Sequence, residues 1–178
     1  MIKRFVKSPV PFLLILFCAV CAAAQSPANC ALTDAPPLLG LRPGMSPSQV
    51  QGAFGKDLKI KVKTTGERTF FQNYVNKKAT GKLIGVRALY LRFLDGKLYQ
   101  IEIFYDEQPN APDLETFAAD LAAQLNFPPG AAWEFSYNKA VIDCGAFTLV
   151  ADMPVDARVE LTDTALRAEA AARREKGN

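Results

Sequence analysis

An α+β fold, with helices packed on an antiparallel sheet, is what this 178-residue sequence predicts, and it leaves room for two helix-plus-sheet units in tandem. Three observations lead there. A helix-start signal precedes a series of strand-like runs, and that order recurs once along the chain. Val86 to Tyr105 forms two apolar runs around Asp95-Gly96, the signature of a hairpin. From residue 131 onward, short β-prone runs alternate with turn residues.

The elements follow in order. Residues 1–24 read as an export signal: Lys3, Arg4 and Lys7 precede an apolar run from Val10 to Val20, then Ala22-Ala23-Ala24, after which cleavage is expected. The run is shorter than the roughly 20 residues a membrane-spanning helix needs, so the mature chain is expected without a transmembrane segment, periplasmic or secreted. Residues 25–37 are rich in Pro, Ala and Asn and read as an extended arm. Residues 38–108 form the first unit, 109–162 the second, and 163–178 a C-terminal helix.

In the first unit Ser46, Pro47 and Gln49 compose a capping box with proline at the first helical position, and Gly55 ends that helix. Leu58, Ile60 and Val62 alternate with Lys59, Lys61 and Lys63, the period of a strand with one wet face. Thr69 to Val75 is a second strand. In the hairpin, a three-residue loop Leu94-Asp95-Gly96 pairs odd positions with odd. It places Leu89, Leu91 and Phe93 with Tyr99, Ile101 and Ile103, and turns Tyr90, Arg92, Gln100 and Glu102 away.

In the second unit Leu114, Phe117, Ala118, Leu121, Ala122 and Leu125 mark a one-sided helix, and Pro128-Pro129-Gly130 stops it. Strands are expected at 133–137, 141–144, 147–153 and 158–161, with turns at Asn138-Lys139, Gly145 and Pro154. Asp163 can cap a last helix, Thr164 to Lys176, whose thin apolar face predicts a frayed surface element.

Charge and cysteines bound the function. Three of the 21 basic residues leave with the signal, and the remainder carries 18 bases against 18 acids. They are segregated: residues 42–97 hold 12 bases and three acids, residues 98–178 six and 14. Mutual screening by packing of the two halves is the favoured explanation, and a basic surface facing an anionic partner is the sharper one. Of four cysteines, two leave with the signal, and Cys30 with Cys144 then reads as one disulfide in an oxidising compartment.

The sequence contains no histidine, which excludes the Ser-His-Asp and Cys-His arrangements and the commonest metal ligand. No phosphate-binding glycine loop or metal-spaced cysteine pair is present in the mature part. Catalytic, cofactor and metal sites are therefore all expected to be none. Acid pairs at Asp106-Glu107 and Asp152/Asp156 keep carboxylate hydrolysis as a minor reading beside that of solvated turn residues. The candidate anion-binding residues are Lys59, Lys61, Lys63, Lys77, Lys78 and Lys82, although lysine on an edge strand also protects against edge-to-edge aggregation. Nucleic acid is not an expected partner, because export removes it.

Gly44-Met45-Ser46, followed by Gln49-Val50 and Phe54-Gly55, resembles the helix-start signature of the SmpA/BamE family and of the related β-lactamase-inhibitor-protein-like domains. The resemblance covers residues 38–56. It implies a small exported α+β domain with helices on antiparallel sheet and a binding rather than catalytic role. One branch of that group assists outer-membrane barrel assembly as lipoproteins, and this chain lacks their lipidation cysteine. Another, a tandem of two units, binds an enzyme through its sheet. The expectation is thus a non-enzymatic exported protein that binds a cell-envelope or secreted macromolecule through its sheet, the alternative being an anionic lipid, glycan or small-ligand binder.

Overall fold

A computed structural model describes residues 30, 32–55, 63–65, 68–74, 81–83, 85–105, 111–128, 131–153 and 157–176, with backbone alone at 63–65, 68–74 and 81. The export signal lies outside the described residues, as do Lys59, Lys61, Lys77, Lys78, Asp106, Glu107, Pro154 and Asp156. The element order is α1 (Pro47–Phe54), β1 (Lys63–Thr65), β2 (Arg68–Tyr74), a single 3-10 turn (Gly81–Leu83), β3 (Val86–Leu94) and β4 (Lys97–Tyr105). Then come α2 (Leu114–Gln124), β5 (Glu134–Ser136), β6 (Lys139–Asp143), β7 (Phe147–Asp152), β8 (Arg158–Asp163) and α3 (Thr164–Lys176). All eight strands form one antiparallel sheet in the order β1-β2-β3-β4-β8-β7-β6-β5. A helix followed by four strands therefore occurs twice, and the last strand of each set meets the other at the centre.

Local chemistry explains the helix starts. The Ser46 amide donates to Gln49 Oε1 at 2.7 Å and the Gln49 amide donates to Ser46 Oγ at 3.3 Å, closing the capping box ahead of Pro47. Val50 and Phe54 point into the core, and Gly55 leaves the helix at φ +57°. Asp113 caps α2 by accepting from the Thr116 amide at 2.7 Å, which holds its carboxyl below the ordinary 3.8. Phe117, Ala118 and Leu121 form its buried stripe over β6 and β7.

The sheet has one dry face. Ile142, Leu149, Leu161, Ile101 and Leu91 are neighbours in successive strands and are all fully buried. Beside them run Ala140, Ala151, Val159, Ile103 and Leu89. Burying a Leu or Ile stabilises by about 1.5–3 kcal/mol, so these rows pin the register. The arm joins the same core. Its Leu32 and Ala35 pack against that core, Leu38 and Leu41 just beyond it bridge each other and are buried, and Cys30 is bonded to Cys144, with Cα atoms 5.0 Å apart, across 114 residues.

Three expectations are corrected. The β3–β4 loop has two residues: Leu94 pairs with Lys97 around Asp95 and Gly96, both at positive φ (48° and 73°). Such a turn pairs even with odd, and a bulge restores the parity. Phe93 faces Leu98 while Arg92 faces Gln100, so Tyr99 is the extra residue. Leu98 takes the core place expected of Tyr99, and Tyr99 packs with Leu94 against Leu166 and Ala170 of α3.

That contact is the second correction, because α3 is docked and not frayed. Asp163 accepts from the Leu166 amide, and the Arg173 guanidinium forks onto both Asp95 oxygens at 2.9 and 2.7 Å and also onto Glu169. The fork lowers the Asp95 carboxyl and raises the Arg173 guanidinium. Third, the β5–β6 turn falls at Tyr137-Asn138, one residue earlier than expected, because Lys139 pairs with Ser136. The basic and acidic segments lie side by side in one sheet and adjoin along β3–β4, with β1–β3 on one flank and β5–β8 towards the other.

Candidate interaction face

The opposite face of the sheet carries the polar half of each alternating strand. Across the central strands, one row reads Val141, Val150, Glu160, Glu102 and Tyr90. The next reads Lys139, Asp152, Arg158, Phe104 and Ala88. Alternation in sequence alone places all these side chains opposite the core.

Arg158 organises the centre. Its Nη1 donates to Glu102 Oε1 at 2.7 Å and lies 3.7 Å from Glu160 Oε2, while Nη2 donates to Asp152 Oδ2 at 2.9 Å. Glu102 and Glu160 are direct cross-strand partners, an arrangement in which like charges repel. The guanidinium between them removes that conflict, and Thr162 Oγ1 donates to Glu160 Oε1 at 3.1 Å. Burial pushes the Arg158 guanidinium down, but its hydrogen bonds and charge contacts with Glu102 and Asp152 outweigh this and raise it. One guanidinium against three carboxylates leaves the cluster with two formal negative charges in excess, on side chains 12–24% exposed.

An aromatic group adjoins it directly. Phe104 is the cross-strand partner of Arg158, and Tyr90 that of Glu102. The Tyr90 and Phe104 rings meet edge-on with centroids 5.5 Å apart, and the Arg87 guanidinium carbon stands 5.8 Å over the Phe104 ring. Arg, Tyr and Phe thus converge with a charged cluster on the half-buried surface of three rigid strands. At one end the face is closed by α3, whose Leu166 and Ala170 pack with Leu94 and Tyr99; elsewhere no helix among the described residues lies on it.

Four of the six lysines expected to bind anions, Lys59, Lys61, Lys77 and Lys78, lie outside the described residues. Of the six lysines, Lys63 and Lys82 fall among the described residues. Lys63 begins the edge strand β1, and Lys82 is exposed in the 3-10 turn with its ammonium 2.8 Å from where a Cβ on Gly40 would stand. Cys30 and Cys144 are joined as expected. Asp152, half of an acid pair noted in the sequence, is held by Arg158. Among the described residues no group of three His, Cys, Asp or Glu side chains is placed to hold a metal ion.

Sequence reasoning assigned Glu102 and Tyr90 to the outer face but passed over Arg158 and Phe104. The available signal was charge at alternate positions, Glu160 and Arg158 in one run and Asp152 in the one before it. A concavity of about 370 Å³ lies where the arm meets the β6–β7 turn, lined by Asp34, Arg42, Phe147 and Asp163 among others. No helix among the described residues is long and apolar enough to cross a membrane. Compared with protein-family models, with curated proteins and with solved structures, the chain has no match.

Proposed function

We propose that this is an exported, non-enzymatic protein that binds another protein of the cell envelope through the outer face of its sheet, at the patch formed by Tyr90, Phe104, Arg158 and Glu102. The patch itself is the observation that carries the reading: aromatic rings and guanidinium groups, the side chains that dominate protein interfaces, set beside an acidic cluster on paired central strands. The excess negative charge calls for a partner that brings a basic group to Glu102, Glu160 and Asp152. The Cys30–Cys144 bond supports an oxidising compartment, periplasmic or secreted, and so does the export signal read from residues 1–24. The absence of histidine and the pairing of Glu102, Asp152 and Glu160 with Arg158 support a contact role over a catalytic one.

A photo-crosslinking amino acid placed at Phe104 or Val150, in the producing cells, tests this. A discrete envelope protein is expected to be captured from both positions and not from Ala119, which is exposed on α2 beyond the opposite face. Equal capture from all three positions, or no capture together with salt-sensitive binding to vesicles of anionic lipid, refutes it in favour of the lipid-binding alternative.

A further inference from the structure

The concavity of about 370 Å³ is walled by segments that lie far apart in sequence: the arm at Asp34, the loop at Arg42-Pro43, the start of β7 at Phe147, and Asp163 at the end of β8. Each wall is fastened. The Cys30–Cys144 bond ties the arm to the β6–β7 turn, and the Thr164 amide donates to the Ala146 carbonyl at 3.1 Å. Gly44, next to Pro43, donates its amide to the Leu98 carbonyl at 2.7 Å. Phe147 is 1% exposed and meets the Phe127 ring edge-on, so the apolar part of the lining is held by the core. Three ionised side chains line the same space without pairing with one another. Among the described residues neither the exposed Arg42 guanidinium nor the Asp34 carboxylate has an ion-pair or hydrogen-bond partner. Asp163 accepts the Leu166 amide on Oδ1, which leaves Oδ2.

We infer that this concavity binds a small zwitterion, an apolar α-amino acid whose carboxylate meets Arg42 and whose ammonium meets Asp34 and Asp163. The charges decide the class. An inorganic anion would answer Arg42 but sit beside two carboxylates, and a lone cation would leave the guanidinium unanswered and feel its repulsion. A molecule that carries both signs answers all three, with the fork of Arg42 taking the carboxylate through two parallel hydrogen bonds. The volume stands at the low end of the roughly 300–1,000 Å³ of small-molecule sites, which suits a single amino acid. Phe147 and Pro43 give the ligand's side chain an apolar wall, so an aliphatic residue such as leucine fits better than a charged one. Two of the three charged groups stand on side chains that water reaches, which sets a modest dissociation constant, on the order of 0.1–1 mM.

The site shares no residue with the proposed partner face and is tested on the protein as its producing cells yield it, with Cys30–Cys144 closed. In a titration of isotope-labelled protein with L-leucine, followed by amide nuclear magnetic resonance, saturable shifts are expected at Asp34 and Ala146 and none at Phe104. L-Leucine amide, which lacks the carboxylate, and N-acetyl-L-leucine, which lacks the ammonium, should each bind about tenfold more weakly. Arg42→Gln and Asp34→Asn each remove one charge from a side chain without a protein partner. Circular dichroism should therefore stay unchanged while the affinity for leucine falls about tenfold. A lack of saturable shifts, binding of either derivative as tight as that of leucine, or variants that bind as the parent does each overturns the inference. Displacement of leucine by an equal concentration of sodium sulfate would mark a plain anion site and overturns it too.

Discussion

At Arg158 a single guanidinium answers Glu102, Asp152 and Glu160, two of which face each other directly across strands β4 and β8. Replacing it by Met keeps most of the apolar stem but leaves Glu102 and Glu160 opposed with no guanidinium between them, and Asp152 with only Lys139 opposite it. The cost is unpaired charge and lost charge-assisted hydrogen bonds, about 2 kcal/mol for a cluster that water still reaches. Urea unfolding of Arg158→Met should show that loss, and Glu102→Gln added to it should recover part, because one of the opposed charges is gone. A variant as stable as the parent would mean that the cluster is solvated in all states. The same substitution breaks the partner patch, so capture from Phe104 should fall while the fold persists.

Elements show where local sequence decides and where it does not. The capping box at Ser46 is readable because all its atoms lie within four residues, and Ser46→Ala should cost about 1 kcal/mol in thermal unfolding. The Asp113 cap of α2 adds a pH dependence. The Thr116 amide stabilises the ionised carboxyl, so its folded value lies below the ordinary 3.8. A depressed carboxyl contributes stability that is present above the ordinary value and lost as pH falls through the folded one. Asp113→Asn keeps a capping oxygen without the charge, so the stability gap between the two proteins should be full above the ordinary carboxylate range and shrink as pH falls below it. A gap that widens on acidification would refute this assignment. By contrast, the bulge at Tyr99 was not legible. Asp95-Gly96 favours a two-residue turn, the apolar pattern demands odd-with-odd pairing, and the structure satisfies both by an extra residue whose ring is accommodated only because α3 arrives more than 60 residues later. The docking of α3 was hidden for the same reason: Arg173 finds Asp95 78 residues away, a pairing that periodicity cannot express.

In the whole molecule the legible part is the dry face, where Leu91 and Ile101 stand side by side as the alternation of their strands requires, and the illegible part is the wet face, assembled from Glu102 and Arg158, 56 residues apart. The Cys30–Cys144 bond joins these scales. It closes a loop that runs from the arm through α1 to β6, with β7, β8 and α3 outside it, and fastens the arm, whose Leu32 and Ala35 pack against the core beneath the sheet. A cross-link of 114 residues restricts the unfolded chain strongly, and the loop-entropy relation gives about 5 kcal/mol. That is of the order of half the stability of an ordinary domain. The double substitution Cys30→Ser with Cys144→Ser should therefore lower the urea midpoint sharply while leaving the slope of the transition close to that of the reduced parent, since both unfold from an open chain. Reduction of the parent by dithiothreitol should reproduce the shift. If the double variant and the oxidised parent unfold at the same midpoint, this end of the chain is held through packing of Leu38 and Leu41 alone, and Leu41→Ala would then carry the loss instead.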